Sequence, residues 1–195
     1  GPTFQHGRYA AHLVPLLCVM AGAGLEQALV WLREGRKSPV SLRLLNWSGL
    51  AFAALVGLGL AGQNLRYAAI QAENVANINQ MHVEMGRWLA QNTPVGARIA
   101  THDIGALGYY SGRHIIDTAG LVTPQVLNYL TPGMAADSGV LAFLQQERPD
   151  YLVIIPSWYP QLAQERAYFT PIHEVVLAHN TIAAGDRMVV FKADF

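Results

Sequence analysis

LLNWSGLAFAALVGLGLA, Leu44 to Ala61, is an 18-residue run whose only polar members are Asn46 and Ser48. It comes close to the ~20 residues that a helix needs to cross the hydrocarbon core of a bilayer. Hydrophobic residues make up 52% of the chain and charged ones 13%, against roughly 25% charged in an ordinary soluble domain. The deficit is uneven. No charge falls between Leu44 and Ala61, whereas from Glu73 onward charges recur as in a water-soluble fold. The chain is therefore read as two regions suited to different solvents.

Before the first run lies a second apolar stretch, Tyr9 to Leu32, interrupted by His12, Pro15, Glu26 and Gln27. Such residues insert poorly on an isolated helix and are expected to face other helices or a polar cavity. The expected organisation is two transmembrane helices, at about 9–32 and 44–66, within a membrane part covering residues 1–68. Their connection holds Arg33, Arg36, Lys37 and Arg43 against Glu34, while Arg8 and Arg66 flank the far ends. By the positive-inside rule this basic loop is cytoplasmic, which places the N-terminal segment and everything after Tyr67 outside the cytoplasm. The expected location is the cell membrane, with two spans and an outer C-terminal domain. Gly49, Ala53, Gly57 and Ala61 recur every four residues along the second span, a stripe that lets another helix approach closely. Membrane lipid and other transmembrane helices or subunits are the partners this implies.

Residues 69–195 read as an extracytoplasmic α/β domain. Ile78, Met81, His82, Met85, Trp88 and Leu89 share one helical face, ending before Thr93-Pro94-Val95-Gly96. Burial of Trp88 on that face would make its loss cost about 3–5 kcal/mol. Strands are expected at 97–101, 114–118, 151–156, 173–178 and 187–193, with helices at about 138–146 and 161–169. Strands separated by helices imply a mostly parallel sheet. The last two strands are expected to form an antiparallel edge hairpin.

Several motifs are set aside on physical grounds. Gly57-Leu-Gly-Leu-Ala-Gly62 has the glycine spacing of a dinucleotide-binding turn but lies within a span, without the strand and helix start which that chemistry requires. Asn46-Trp47-Ser48 has the form of a glycosylation acceptor at the cytoplasmic membrane edge. The seven histidines show no metal-ligand spacing, because neighbours such as His102-Asp103 and His173-Glu174 diverge on a strand. No cofactor is identified. Thirteen basic and thirteen acidic residues cancel, leaving no field for nucleic acid, and no Gly-x-Ser-x-Gly elbow supports Ser111 or Ser157 as a nucleophile.

Asp103 and Asp117 each close an expected strand, where ligands of open α/β sheets gather. They suit contacts to a sugar or to an acceptor hydroxyl, although the readier reading is structural, Asp103 capping a helix from Ile104 and Asp117 a turn before Gly120. Tyr109, Tyr110, Trp158 and Tyr159 are expected to be buried rather than to stack on a ring. Near the mouth of the first span, His6, Arg8 and Tyr9 are placed either to hold a lipid-linked phosphate or to anchor the helix at the interface.

The phrase Gln5-His6-Gly7-Arg8-Tyr9 leads into an apolar helix with Pro15. Downstream come Asp103-Ile-Gly-Ala-Leu-Gly-Tyr-Tyr-Ser111, Ile116-Asp117 and Gly120-Leu121-Val122-x-Pro124. Together these resemble the C-terminal part of bacterial multi-spanning membrane glycosyltransferases of the C superfamily, the polyprenyl-phosphate-sugar-dependent enzymes akin to mannosyl- and arabinosyltransferases. The resemblance implies a lipid-linked sugar donor, transfer on the outer face of the membrane, and His6, Arg8 and Tyr9 near the donor phosphate. It also places the family's catalytic acid in a first outer loop that has no counterpart in these residues, so the chain is not expected to complete a transferase alone. The alternative expectation is a non-catalytic accessory or structural subunit of a larger membrane complex.

Overall fold

The computed structural model describes residues 13–34, 39–130 and 136–195. His6, Arg8 and Tyr9 lie outside the described residues. The chain divides between Gln71 and Ala72 into two units, each built on its own principles.

The first unit is helical. Helix α1 spans Val14–Glu34 and helix α2 spans Pro39–Ile78, so α2 extends past the apolar run at both ends. Among the described residues, two helices are long and apolar enough to cross a membrane, one over Val14–Trp31 and one in the helical run that starts at Trp47. The most apolar stretch of neither is buried within the protein. Leu55, Leu58 and Leu65 stand exposed, and a methyl group added at Gly49 or Gly57 would meet no neighbour. Gly57 to Gly62 is continuous helix.

The second unit begins inside α2. A π-helical turn, Asn79–Val83, widens the helix before α3, Glu84–Asn92. Wide turns of this kind recur at functional sites. Then follow β1 (Arg98–Thr101), α4 (Ile104–Ser111), β2 (His114–Asp117), α5 (Ala136–Glu147), β3 (Tyr151–Ile154), β4 (Phe169–Val176) and β5 (Arg187–Ala193). Helix α4 stops where Gly112 adopts a left-handed conformation, φ 61°, which glycine enters without steric cost.

The five strands form one sheet in the order β2-β1-β3-β5-β4. Strand β1 pairs in parallel with β2 and β3, whereas β5 runs antiparallel to both β3 and β4. The sheet is thus mixed rather than mostly parallel, with the β4–β5 hairpin at one edge. Alternation along the strands serves two cores. Leu152, Ile154, Val189 and Phe191 pack with Val140, Phe143 and Leu144 of α5. Tyr151, Val153, Met188 and Val190 pack with Met81, Met85, Leu89 and Leu107. Burial on both faces explains why β3 is apolar throughout.

Two expected elements differ. The helix at about 161–169 reduces to one 3-10 turn, Leu162–Gln164. There the Asp137 carboxylate accepts the backbone N–H groups of Gln161 and Leu162, and Phe169 already pairs with Ala193 as sheet. Strand β4 therefore starts earlier than His173. Pro171 interrupts the pattern in sequence but is tolerated on an edge strand, with a register irregularity between Pro171 and His173. Trp88 is half-buried instead of core, its ring stacked on His173 at 4.2 Å.

Candidate functional site

Strand β1 lies between β2 and β3: the chain passes from β1 through α4 to β2 on one side, then returns through α5 past β1 to β3 on the other. That reversal makes the carboxyl ends of β1 and β3 a topological switch point, the usual ligand position in open α/β sheets. The residues at these strand ends are Thr101, His102 and Asp103 at β1, Asp117 and Thr118 at β2, and Ser157 to Tyr159 after β3.

Asp103 precedes α4 but makes no side-chain cap to that helix. Its Oδ2 instead lies 2.7 Å from His82 Nε2. The π turn carries this histidine, buried together with Met81 and Val83. The carboxylate keeps a 37% exposed side chain. Burial alone would raise the Asp103 carboxyl, but the His82 hydrogen bond and the charges of His82 and His102 hold it below the ordinary aspartate range.

His102 diverges from Asp103 as a neighbour on an extended segment should. It is 8% exposed, and among the described residues neither ring nitrogen has a hydrogen-bond partner. Its ring stacks on Trp158 at 4.9 Å and meets the edge of Tyr159 at 5.4 Å. Burial pushes its pKa below the usual 6.5, against the opposing pull of Asp103 and Asp117. Burial likewise raises the Tyr159 phenol, with Asp137 and Asp117 adding to the effect. Of the four aromatic residues expected to be buried, only Tyr159 is; Tyr109, Tyr110 and Trp158 are exposed.

Asp117 is fully buried, and its two carboxylate oxygens accept the N–H groups of Ala119 and Val122, each at 2.8 Å. Its carboxylate thus organises its own loop, and of the two acids it is Asp103 that reaches solvent. Among the described residues no group of three His, Cys, Asp or Glu is arranged to hold a metal ion.

The strand ends therefore combine a solvent-facing carboxylate fixed by an imidazole, a buried imidazole, and an exposed indole. These residues belong to the stretch between residues 68 and 191, which matches a family model described as a domain of unknown function. The chain belongs to the DUF8728 family. The DUF8728 match takes in the end of α2, the π turn and the sheet through most of β5. No curated protein and no solved structure matches the chain.

Sequence reading reached Asp103 but not its partner. His82 stood on the helix face among Met81, Met85 and Leu89, and a histidine at a core position itself signals a buried hydrogen-bond partner. Arg113 also escaped notice. Its guanidinium donates to the carbonyls of Ala90, Thr93 and Ser111, tying the end of α3 to the end of α4.

The depressed pKa values of His102 and Asp103, together with that of His173, which burial also lowers, give stability a defined pH dependence. His102 binds a proton more readily unfolded than folded, so its contribution is complete above 6.5 and is lost as pH falls through the folded value. Asp103 acts with the same sign, but only below the ordinary aspartate value of 3.8. The thermal midpoint is expected to drop between pH 7.5 and 5.5 in the parent and to drop less in His102→Phe. Equal slopes in the two proteins would show that His102 is not the group responsible.

Proposed function

We propose that the chain forms the C-terminal region of a membrane glycosyltransferase that takes a sugar from a polyprenyl-phosphate donor on the outer face of the membrane. In this reading the basic loop is cytoplasmic, and the α/β unit lies outside and receives the acceptor. The carrying observation is Asp103, a solvent-reaching carboxylate held by His82 at 2.7 Å, on the loop after β1 next to the His102–Trp158 stack. A fixed carboxylate is suited to accept a hydrogen bond from an acceptor hydroxyl. The two apolar helices support a membrane setting, and His6, Arg8 and Tyr9 would supply charge-assisted hydrogen bonds to the donor phosphate.

The test uses the protein as encoded, in its own membranes, with a polyprenyl-phosphate sugar as donor. Asp103→Asn keeps the shape of the side chain but removes its charge. It is expected to lower kcat/KM for the acceptor about tenfold, while the donor KM stays unchanged. Parental kinetics would remove Asp103 from the acceptor site. Arg8→Ala distinguishes the other end, since it should raise the donor KM instead.

A second reading is favoured by the uncovered apolar sides of α1 and α2 and by the small-residue stripe from Gly49 to Ala61. Here the chain is a non-catalytic accessory subunit whose helices dock in a larger membrane complex. Co-migration with unrelated subunits in mild detergent, without sugar transfer, would select it.

A further inference from the structure

We propose that the end of the α/β unit where its parallel strands finish is a membrane-docking face, with the side chains of Leu121, Val122, Leu127 and Trp158 set into the headgroup layer of a lipid bilayer. It rests on the membrane setting of the transferase reading and not on sugar transfer.

The loops that build this end follow from the sheet. Strand β2 stops at Asp117 beside Thr101 of β1, so residues 118–130 leave from the same end as His102 and Asp103. Ile154 of β3 stands opposite Val189 of β5, which brings the β4–β5 loop alongside the turn after β3. That loop is closed by the Leu177 N–H donating to the Asp186 carbonyl at 2.7 Å. A methyl group added at its Gly185 would collide with the side chains of Ile155 and Ser157. Three loops therefore share one end.

None of the three carries a Lys, Arg, Asp or Glu: residues 118–130 read TAGLVTPQVLNYL, 155–164 IPSWYPQLAQ and 177–185 LAHNTIAAG. The opposite end differs. There Arg98, Arg113, Glu147, Arg148, Asp150 and Lys192 gather where β1, β2 and β3 begin and β5 finishes. Of the charges that border the uncharged end, Asp103 is held by His82 and Arg187 by Glu174. Leu121, Val122, Leu127 and Trp158 are all more than half exposed. Apolar side chains scattered singly over a surface need no explanation, but four on charge-free loops at one end mark an interaction surface.

The occupant is indicated by the helix that enters here. Asn77, in the last turn of α2, bonds the His179 carbonyl and the Thr181 N–H of the β4–β5 loop, and His82 bonds Asp103. The chain thus reaches the unit at its uncharged end, coming from the run Leu44–Ala61 that is apolar enough to span a bilayer. Ala72, where the unit begins, follows the flanking Arg66 by six residues, ~9 Å of helix. That length is comparable with the headgroup region bordering the ~30 Å hydrocarbon core. Tryptophan suits this layer because its ring is apolar and its N–H polar. With no basic residue in the three loops, the contact is apolar rather than an attraction to anionic lipid.

The experiment places the full chain, with Cys18→Ser as background, in phosphatidylcholine nanodiscs and attaches single nitroxide labels at Leu121→Cys, Trp158→Cys, Val95→Cys and Leu58→Cys. Collisions of each label with oxygen, which concentrates in lipid, and with a water-soluble nickel chelate report its depth by electron paramagnetic resonance. The labels replacing Leu121 and Trp158 are expected about 5–10 Å inside the headgroup surface, with no change when phosphatidylglycerol replaces part of the lipid. The label replacing Val95, 82% exposed at the opposite end, should report water. Circular dichroism shows whether each variant keeps the parental fold, and Leu127→Cys stands in for Trp158→Cys if loss of the stack on His102 unfolds it. The docking face is disproved if the Leu121 and Trp158 sites are as open to the nickel chelate as the Val95 site, or if their depth requires phosphatidylglycerol. Shielding from both reagents would indicate a protein partner or a second copy and would disprove it equally. A Leu58 site in water overturns the membrane setting as well, whereas a Leu58 site in lipid with a Leu121 site in water overturns the docking face alone. Parental transfer kinetics in Asp103→Asn bear only on the transferase reading, so the failures are distinguishable.

Discussion

Asp117→Ala is expected to destabilise the α/β unit by about 3 kcal/mol, because two backbone N–H groups lose their acceptor together. The side chain is 0% exposed, and its oxygens hold Ala119 and Val122, while its own N–H donates to Thr123 Oγ1 at 3.1 Å. The segment between β2 and the 3-10 turn Pro124–Tyr129 thus wraps around one carboxylate. Ala119 and Val122 are themselves exposed, so water recovers part of the loss, which keeps the figure below the ~6 kcal/mol that two fully buried orphans would reach. Asp117→Asn retains one acceptor and should lose about half as much. Urea denaturation of the two variants measures the difference, and an Asp117→Ala midpoint equal to that of the parent would show that the carboxylate does not hold the loop.

Strand positions were the most legible part of the second unit. Tyr151 to Ile154 and Met188 to Phe191 announce themselves by unbroken apolar or β-branched residues, because strands buried on both faces need no polar side. The parallel character was legible only in part. Order within a sheet depends on contacts distant in sequence, and nothing local in Arg187 to Ala193 records that β5 inserts next to β3, against which it runs antiparallel. The expected helix at about 161–169 failed for a comparable reason. Leu162 and Phe169 have roughly helical spacing, but Asp137, more than twenty residues earlier, captures the backbone N–H groups that a helix start presents.

The site was half visible. Strand ends drew attention to Asp103 and Asp117 for a sound topological reason, although the structure gives the two acids opposite tasks. Local residue types do not reveal that Asp103 leaves its own helix uncapped and binds His82 instead, since that pairing depends on the π turn setting the direction of His82. His102 was dismissed as a metal ligand because its neighbour Asp103 points elsewhere. The same divergence is what frees it to lie beneath Trp158.

Residues 69–195 expressed alone are expected to fold cooperatively. Both apolar cores draw their buried residues from Met81 onward, and the loop between β4 and β5 is held from within this segment. There Asn77 donates to the His179 carbonyl at 3.0 Å and accepts the Thr181 N–H at 2.6 Å. Leu89→Ala is the decisive variant. The side chain is 0% exposed between Met85 and Leu107 in one core, so its truncation should cost about 2–5 kcal/mol, a large share of the ~5–15 kcal/mol available to a domain of this size. Trp88→Ala should cost less, because the indole is half-buried and its main ring contact is His173 at 4.2 Å. Thermal unfolding followed by circular dichroism ranks the two. A cooperative transition lowered more by Leu89→Ala than by Trp88→Ala supports a self-sufficient unit organised around the α3–α4 face of the sheet. An aggregated or non-cooperative fragment would mean that the helices before residue 69, or a partner, supply part of its stability.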